Sequence, residues 1–469
     1  MEKFKDLTRK GVETLHVPRF MFSEHESMVE IVVFVATMLV LSPFFGVQWF
    51  ILGDPWSNTV AVNFLHVIMI PALLLLVIVS SSIMELSPFL RKFFNFSTIP
   101  ILFLSFLGAI SIYTSQTYAL NEVTETVRDV WMLLVGIMFT VNLLMVPFHS
   151  PSKFKKEWGA YLLITFSAVS TLIATLLGML LAAMMFIGTS SIPFLGNYIT
   201  SLGLGISDFE ANLLTSHSHE VLPAIMGGIV GLTALFFRYG DLSKPKVMAV
   251  NLALFVSLVG SVVMTYIYVI AGVGTFVPPT LFASGPGGVN GLAEDDLFTG
   301  VVGIGAILAI PGLYWAIKKR YSGHRITPYS SLLIWILTMV GLVGLGYYIE
   351  TQESYYGFGT SGVPPTGGSG YKFDLAFMDG HLISVFFLLP LMSIIVLSYL
   401  FMENKHKELV GYLTVLGSVV TILGLLVYTA TLSWALEAIG LIILVLTICF
   451  VAYYQSIRIL SPAKPELDD

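Results

Sequence analysis

The sequence predicts an all-α membrane protein that crosses the bilayer about twelve times, with both termini in the cytoplasm. Composition is the first observation: of 469 residues, 56% are hydrophobic and 11% are charged, against about 25% charged in ordinary globular proteins. Acidic residues outnumber basic ones by 29 to 23, so a basic surface for nucleic acid is missing. This composition excludes a soluble enzyme, a disordered chain and a nucleic-acid-binding protein.

The second observation is the length of the apolar stretches. Each is close to the roughly 20 residues that a membrane-spanning helix needs. They are continuously apolar, whereas membrane β-strands would alternate and be about 10 residues long. The predicted spans, in chain order, are about 29–53, 59–84, 98–120, 129–148, 158–187, 211–237, 246–276, 297–317, 329–349, 376–402, 409–431 and 434–457.

The third observation is the distribution of positive charge. If the N-terminus is cytoplasmic, all of the 23 Lys and Arg residues except Arg128 and Lys372 fall on the cytoplasmic side, as the positive-inside rule requires. We therefore expect a multi-pass plasma-membrane protein with a cytoplasmic lead-in at 1–28, a transmembrane domain at 29–457 and a cytoplasmic tail at 458–469. The lead-in is charged and lacks the apolar core of a signal peptide, so it is interpreted as a helix on the membrane surface.

Three predicted outward loops, about 188–210, 277–296 and 350–375, are long and acidic. Long loops in compact proteins are often functional. We expect some of them to form a cap that docks an external partner, and simple linkers are the alternative. The acidic side chains in these loops include Asp208, Glu210, Glu294, Asp295, Asp296 and Glu353.

Four of the nine histidines lie inside predicted spans: His66 in the second, His217 and His219 in the sixth, and His381 in the tenth. These spans all run inward from the outer face. With a rise of 1.5 Å per residue, each His lies roughly 8–12 Å below the predicted start of its span. Histidines from three helices at one depth indicate a shared haem or metal site, and structural or proton-relay histidines are the alternative.

Two carboxylates accompany these histidines. Glu220 follows His219 directly, and Asp379 lies two residues before His381. Either carboxylate could orient an imidazole or carry protons. His217 and His219 are about 200° apart if the helix is regular, so they face the bundle together only if the turn before Pro223 is irregular.

The arrangement resembles subunit I of the haem–copper oxidase superfamily, which includes the nitric oxide reductases. That family has twelve helices with both termini inside, a low-spin haem held by histidines of helices 2 and 10, and a copper ligand on helix 6. His66, within Leu65-His-Val-Ile-Met-Ile70, and His381 correspond to the haem ligands. His219-Glu220-Val221 is similar to the family's His-Pro-Glu-Val on helix 6.

The sequence departs from this family where oxygen is reduced. The predicted seventh span contains no His where the family has a copper-binding pair, and Asp379 stands in place of the first His of helix 10. Leu222 replaces the Tyr that follows the helix 6 motif, and the eighth span has no intramembrane Lys. The resemblance therefore implies a b-type haem held by His66 and His381, without a complete oxygen-reducing centre.

The preferred interpretation is a haem-binding subunit of a respiratory complex. It would pass electrons between a quinol and an external cytochrome, copper or Rieske protein, in contact with other subunits of the complex. The first alternative is a divergent oxygen or nitric oxide reductase, in which His217 and His219 hold copper or another metal beside Glu220 and Asp379. The second alternative is a twelve-helix secondary transporter.

The predicted topology can be tested with single cysteines in a Cys449→Ala background. We expect Ser369→Cys, in an outward loop, to react with a membrane-impermeant maleimide in intact cells. Ser322→Cys, in a predicted inward loop, should react only after the cells are permeabilised. Labelling of both positions in intact cells would contradict the predicted orientation and number of spans.

Overall fold

The structure is a computed structural model that describes residues 70, 73–81, 83–84, 86–114, 118–273, 292–320, 404–431 and 435–460. These residues are helical or lie in turns, and no strand occurs among them. The helices are α1 (Pro88–Thr114), α2 (Tyr118–His149), α3 (Pro151–Ile187), α4 (Leu195–Ser201), α5 (Ile206–Phe236), α6 (Lys244–Gly272), α7 (Leu292–Arg320), α8 (Asn404–Thr431) and α9 (Ala435–Leu460). Short 3-10 turns lie at Thr189–Ser191 and Tyr239–Asp241.

Seven of the described helices are long and apolar enough to cross a membrane. The chain is therefore an all-helical protein of the multi-pass membrane type. The candidate spans, one each in α1, α2, α3, α6, α7, α8 and α9, are Phe89–Gly108, Val123–His149, Pro151–Met184, Lys244–Val269, Gly300–Arg320, His406–Gly424 and Ala435–Ile457. The remaining predicted spans lie wholly or largely outside the described residues, apart from the sixth.

The sixth predicted span corresponds to α5, which differs from the other long helices. In its last third, Gly227–Phe236 is a short apolar segment, whereas His217 and Glu220 lie in the part that precedes it. At 1.5 Å per residue its 31 residues are roughly 46 Å long, more than the roughly 30 Å of a hydrocarbon core. Two polar residues in the middle of α5, Ser216 and Glu220, are buried.

The helices extend beyond the apolar stretches from which the spans were predicted. The clearest difference is the predicted outward loop 188–210, in which the structure forms α4 and the beginning of α5. Gly188 ends α3 with a φ of +80°, a left-handed conformation that glycine adopts without steric penalty. Hydropathy marks only the apolar part of a helix, so polar ends and a short surface helix were missed.

The described residues divide into two compact units. One contains the described residues up to 135 together with 404–413 and 443–460, and the other contains 136–273, 292–320, 414–431 and 435–442. In the first unit, Phe96 of α1 and Trp131 of α2 bring their rings to 6.2 Å. His406 of α8 lies 4.8 Å from the ring of Tyr454 on α9.

In the second unit, α5 packs antiparallel along α3. Near one end, a Cβ added to Gly231 would lie 2.7 Å from Cγ1 of Ile164 and 3.1 Å from the backbone oxygen of Ala160. One turn earlier, a Cβ at Gly227 would lie 2.8 Å from Oγ of Ser167. Small residues at these positions let the two backbones approach closely, which is how helices associate where the hydrophobic effect is absent.

Glycines also allow a close approach between α6 and α7. A Cβ at Gly305 of α7 would collide with the backbone of Ser257 on α6, and a Cβ at Gly312 would collide with the side chain of Val250. At this crossing Oγ of Ser257 donates to the carbonyl of Val302 at 2.8 Å. The glycines of α7 therefore fix the register of α7 on α6.

A buried amide joins α3, α6 and the turn before α6. Asn251 is 2% exposed, and its Oδ1 accepts from the N–H of Gly159 and from the hydroxyl of Tyr239, both at 2.8 Å. Its Nδ2 donates to the carbonyl of Lys156 at 3.0 Å. The backbone donor at Gly159 is accessible because Glu157 has non-helical φ and ψ angles within α3.

Tyr239 and Glu157 complete this joint. The N–H of Gly240 donates to Oε1 of Glu157 at 3.0 Å, which ties the 3-10 turn to the kink in α3. Burial raises the pKa of the Tyr239 phenol, so this hydroxyl remains a proton donor to Asn251 at neutral pH.

Polar and apolar residues are distributed along α6 in the reverse of a soluble protein. The buried polar side chains of α6 include Asn251, Ser257, Ser261 and Thr265. The exposed face is apolar and consists of Met248, Leu252, Phe255, Val259, Val262 and Tyr266. An apolar exterior around a hydroxyl-bearing interior suits a helix whose outer face meets lipid.

Replacing Asn251 with Ala should destabilise the second unit by about 1–3 kcal/mol, because the Gly159 N–H and the Tyr239 hydroxyl lose their buried acceptor. The measurement is the thermal unfolding midpoint of the purified protein. The matched control is Asn197→Ala, since Asn197 on α4 is exposed. Equal midpoints for both variants would contradict the structural role of Asn251.

Candidate functional site

A buried carboxyl group lies where α3, α5 and α6 meet. Glu220 belongs to α5 and its side chain is 0% exposed. His217 and Glu220 are three residues apart and therefore share one face of α5. Helix α3 contacts that face along its length, so the Glu220 side chain is directed towards α3. A charged group at such a position in a membrane protein is expensive and usually functional.

Two hydroxyls from the neighbouring helices bind this carboxyl group. Ser170 of α3 donates to Oε1 of Glu220, and Oγ1 of Thr265 on α6 donates to the same oxygen at 2.5 Å. The two hydroxyl oxygens are 2.9 Å apart. Three helices thus bring three oxygens to mutual hydrogen-bond distance, with Ser170 0% and Thr265 5% exposed.

Further oxygen atoms at this site have no partner among the residues that the structure describes. Oε2 of Glu220 is buried without a hydrogen bond there, and so is Oγ of Ser216. Ser216 is 1% exposed and lies one turn before Glu220 on the same face of α5. We refer to Ser170, Ser216, Glu220 and Thr265 as the Glu220 pocket.

His217 is beside the Glu220 pocket and is held by α3. Its Nδ1 lies 2.8 Å from the carbonyl oxygen of Ala174. A carbonyl only accepts, so Nδ1 carries the proton and Nε2 carries the lone pair of the neutral ring. Ligating histidines are commonly oriented by such a bond. The ring fits because Gly178 is opposite: a Cβ there would lie 2.6 Å from Cε1 of the imidazole.

The backbone around His217 and His219 is that of a regular helix. The helix α5 is continuous from Ile206 through Pro223 to Phe236, so the irregular turn that would bring both histidines to one face is not formed. Positions two apart on a regular helix are about 200° apart around its axis.

The other predicted site residues, His66, Asp379 and His381, lie outside the described residues. Within the part of the chain that is described, no group of three or more His, Cys, Asp and Glu side chains is placed to hold a metal. The predicted haem ligation by His66 and His381 stays a prediction, as does metal binding by His217 and His219.

Sequence reasoning found Glu220 and His217 but missed their partners. Ser170, Thr265 and Gly178 have no distinguishing local motif, and many Ser, Thr and Gly residues occur in the apolar stretches. One signal was available: Ser257, Ser261 and Thr265 recur every four residues and therefore share one face of α6.

Comparison with protein-family models, curated proteins and solved structures finds no match to this chain. The chain is therefore characterised by its own structure alone. It is an all-helical protein with seven described helices suited to membrane crossing and a buried carboxyl group enclosed by hydroxyls. Such a group can take up or release one positive charge inside the bundle.

Replacing Gly178 with Ala should disturb the site, because the added methyl group would overlap the His217 imidazole and displace it from the Ala174 carbonyl. We expect a loss of about 1–3 kcal/mol in stability, as for other overpacked cores, measured as a lower thermal unfolding midpoint. Gly196→Ala on α4 is the control, since no atom lies within 4 Å of a Cβ there. Unchanged stability in Gly178→Ala would contradict the described packing of His217.

Proposed function

We propose that this protein is a haem-binding membrane subunit of a respiratory electron-transfer complex, in which Glu220 handles the proton that accompanies an electron. The supporting observation is the enclosure of the Glu220 carboxyl group by hydroxyls of α3 and α6. Electrons would pass between a quinol and an external cytochrome, copper or Rieske protein. The haem would be held by His66 and His381, which the sequence puts at a common depth, and would supply the one-electron chemistry.

The placement of Glu220 argues against a purely structural role. A side chain that only filled space between α3, α5 and α6 would be more stable there if it were apolar, because burying a carboxylate costs more than its hydrogen bonds return. The two hydroxyl donors stabilise the ionised form, and a proton on the carboxyl group stabilises the neutral form. Glu220 can therefore exist in both states, which is the requirement for an acid–base group.

Quinol oxidation requires such a group. A quinol that becomes a quinone loses two electrons and two protons, and the protons must leave to acceptors near the bound quinol. Glu220 would accept one of them, and the second proton would pass to Asp379 or to the external water. His217, with its proton on Nδ1 towards Ala174, would present Nε2 as a further acceptor.

The acidic outward loops would dock the external redox partner. Their carboxylates would attract a basic protein surface and steer its approach, an effect that weakens with rising salt. The apolar helices themselves indicate that the protein lies in a lipid bilayer. The other subunits of the complex are part of the proposal.

The purified, reduced protein should show the sharp visible bands of a low-spin b-type haem. His66→Ala and His381→Ala should each abolish these bands, because a bis-histidine haem needs both axial ligands. His149→Ala, at the end of α2, is the control and should keep them. A colourless wild-type protein would overturn the proposal and favour a transporter, and high-spin or metal features would favour the reductase alternative.

The role of Glu220 has its own readout in the same preparation. Glu220→Gln should retain the visible spectrum but slow quinol oxidation by about a hundredfold or more, the usual contribution of a general base. An unchanged rate in a variant that keeps its spectrum would remove Glu220 from the proposed reaction.

A further inference from the structure

When Glu220 is ionised, the Glu220 pocket has one proton fewer than its three oxygen–oxygen contacts need for each to be a hydrogen bond. Glu220 Oε1, Ser170 Oγ and Thr265 Oγ1 form three mutual contacts at hydrogen-bond distance. The two hydroxyls supply two protons, and an ionised carboxylate supplies none. If both hydroxyls donate to Glu220, their oxygens face each other at 2.9 Å with no proton between them. The pocket therefore calls for one additional positive charge.

The charges of the surrounding protein do not supply it. Among the residues that the structure describes, no ion pair reaches Glu220; Arg128 pairs with Asp129 and Lys156 with Asp241. His217, three residues before Glu220 on the same face of α5, directs its Nδ1 to the Ala174 carbonyl. A single carboxylate is neutralised by one monovalent ion, whereas a divalent ion would leave a net buried charge.

The polar atoms of the Glu220 pocket are all oxygens, and there are more of them than are needed to hold one proton. A proton is held between two oxygens. Here Oε1 of Glu220 and the hydroxyls of Ser170 and Thr265 come together from three helices. Oε2 of Glu220 is buried beside them, and the buried Ser216 hydroxyl lies one turn from Glu220. Carboxylate and hydroxyl oxygens suit hard cations, whereas copper and zinc prefer nitrogen and sulfur. The close spacing of these oxygens favours a small ion.

We propose that the Glu220 pocket binds Na⁺, with ligands from Glu220, Ser170, Thr265 and Ser216. This inference deepens the proposed function and rests on the ionic role that it gives to Glu220, but it does not depend on the haem. Bound Na⁺ neutralises the carboxylate in the bundle interior and is bound by the oxygens that surround it. It also joins α3, α5 and α6, so binding stabilises the folded protein.

The test uses the full-length purified protein in detergent at one neutral pH, with NaCl compared with KCl and choline chloride at equal ionic strength. Radioactive Na⁺ should bind saturably at one ion per chain. The thermal unfolding midpoint should rise with Na⁺ but not with K⁺ or choline, because a ligand that binds only the folded state stabilises it. Glu220→Gln should abolish both effects.

Ser170→Ala should weaken Na⁺ binding by about tenfold, as expected when one polar ligand is lost, and it decides the test if Glu220→Gln does not fold. The matched control is Ser167→Ala, which removes a buried hydroxyl that donates within α3 to the Leu163 carbonyl. Ser167→Ala should bind Na⁺ like the wild-type protein.

Wild-type protein that binds no Na⁺, or that binds it equally well after Glu220→Gln, would overturn the sodium site. If quinol oxidation still falls in Glu220→Gln while Na⁺ does not bind, the pocket carries protons alone and the proposed function stands. If Na⁺ binds but the protein shows no haem spectrum, the electron-transfer function fails and the sodium site stands.

Discussion

The hydrocarbon interior of a bilayer offers no hydrogen-bond donors or acceptors, and the second compact unit is organised around that constraint. Every polar side chain on the inner faces of α3, α5 and α6 must find a partner within the protein. Glycines at the helix crossings make this possible because they let backbones and short side chains come within hydrogen-bonding distance. At Gly159 the close approach lets the backbone N–H reach Oδ1 of Asn251. At Gly305 it brings the hydroxyl of Ser257 to the Val302 carbonyl.

The same constraint explains why the Glu220 pocket is a candidate site and not a packing detail. Both ends of the Asn251 amide have hydrogen-bond partners within the protein. The Glu220 pocket has hydroxyls and carboxylate oxygens at comparable burial, yet its contacts call for one more positive charge. A proton and a Na⁺ ion are the two ways of supplying that charge, and each links the fold to chemistry: the proton to quinol oxidation, and the sodium ion to the stability of the three-helix junction.

Much of the secondary structure could be predicted from hydropathy, because a membrane-spanning helix needs a run of apolar residues and these runs are long in this chain. The spans predicted at 158–187, 246–276 and 434–457 correspond to α3, α6 and α9. The helix α4 was missed, because a short helix with polar residues resembles a loop in hydropathy. The sixth span was predicted to begin at 211, but α5 begins at Ile206, because hydropathy marks only the apolar part of a helix and misses a polar end.

By itself, the sequence determined the class of the protein, the positions of its long apolar helices and the two ionisable residues, His217 and Glu220, that stand out within one of them. These follow from composition and local periodicity, which are properties of neighbouring residues. Only the tertiary structure decided that Ser170 and Thr265, 50 residues before and 45 residues after Glu220, bind its carboxyl group, and that Gly178 makes room for His217. Such contacts depend on how the helices cross, and helix crossings are set by the shapes of two surfaces at once, which the order of residues along one helix does not reveal.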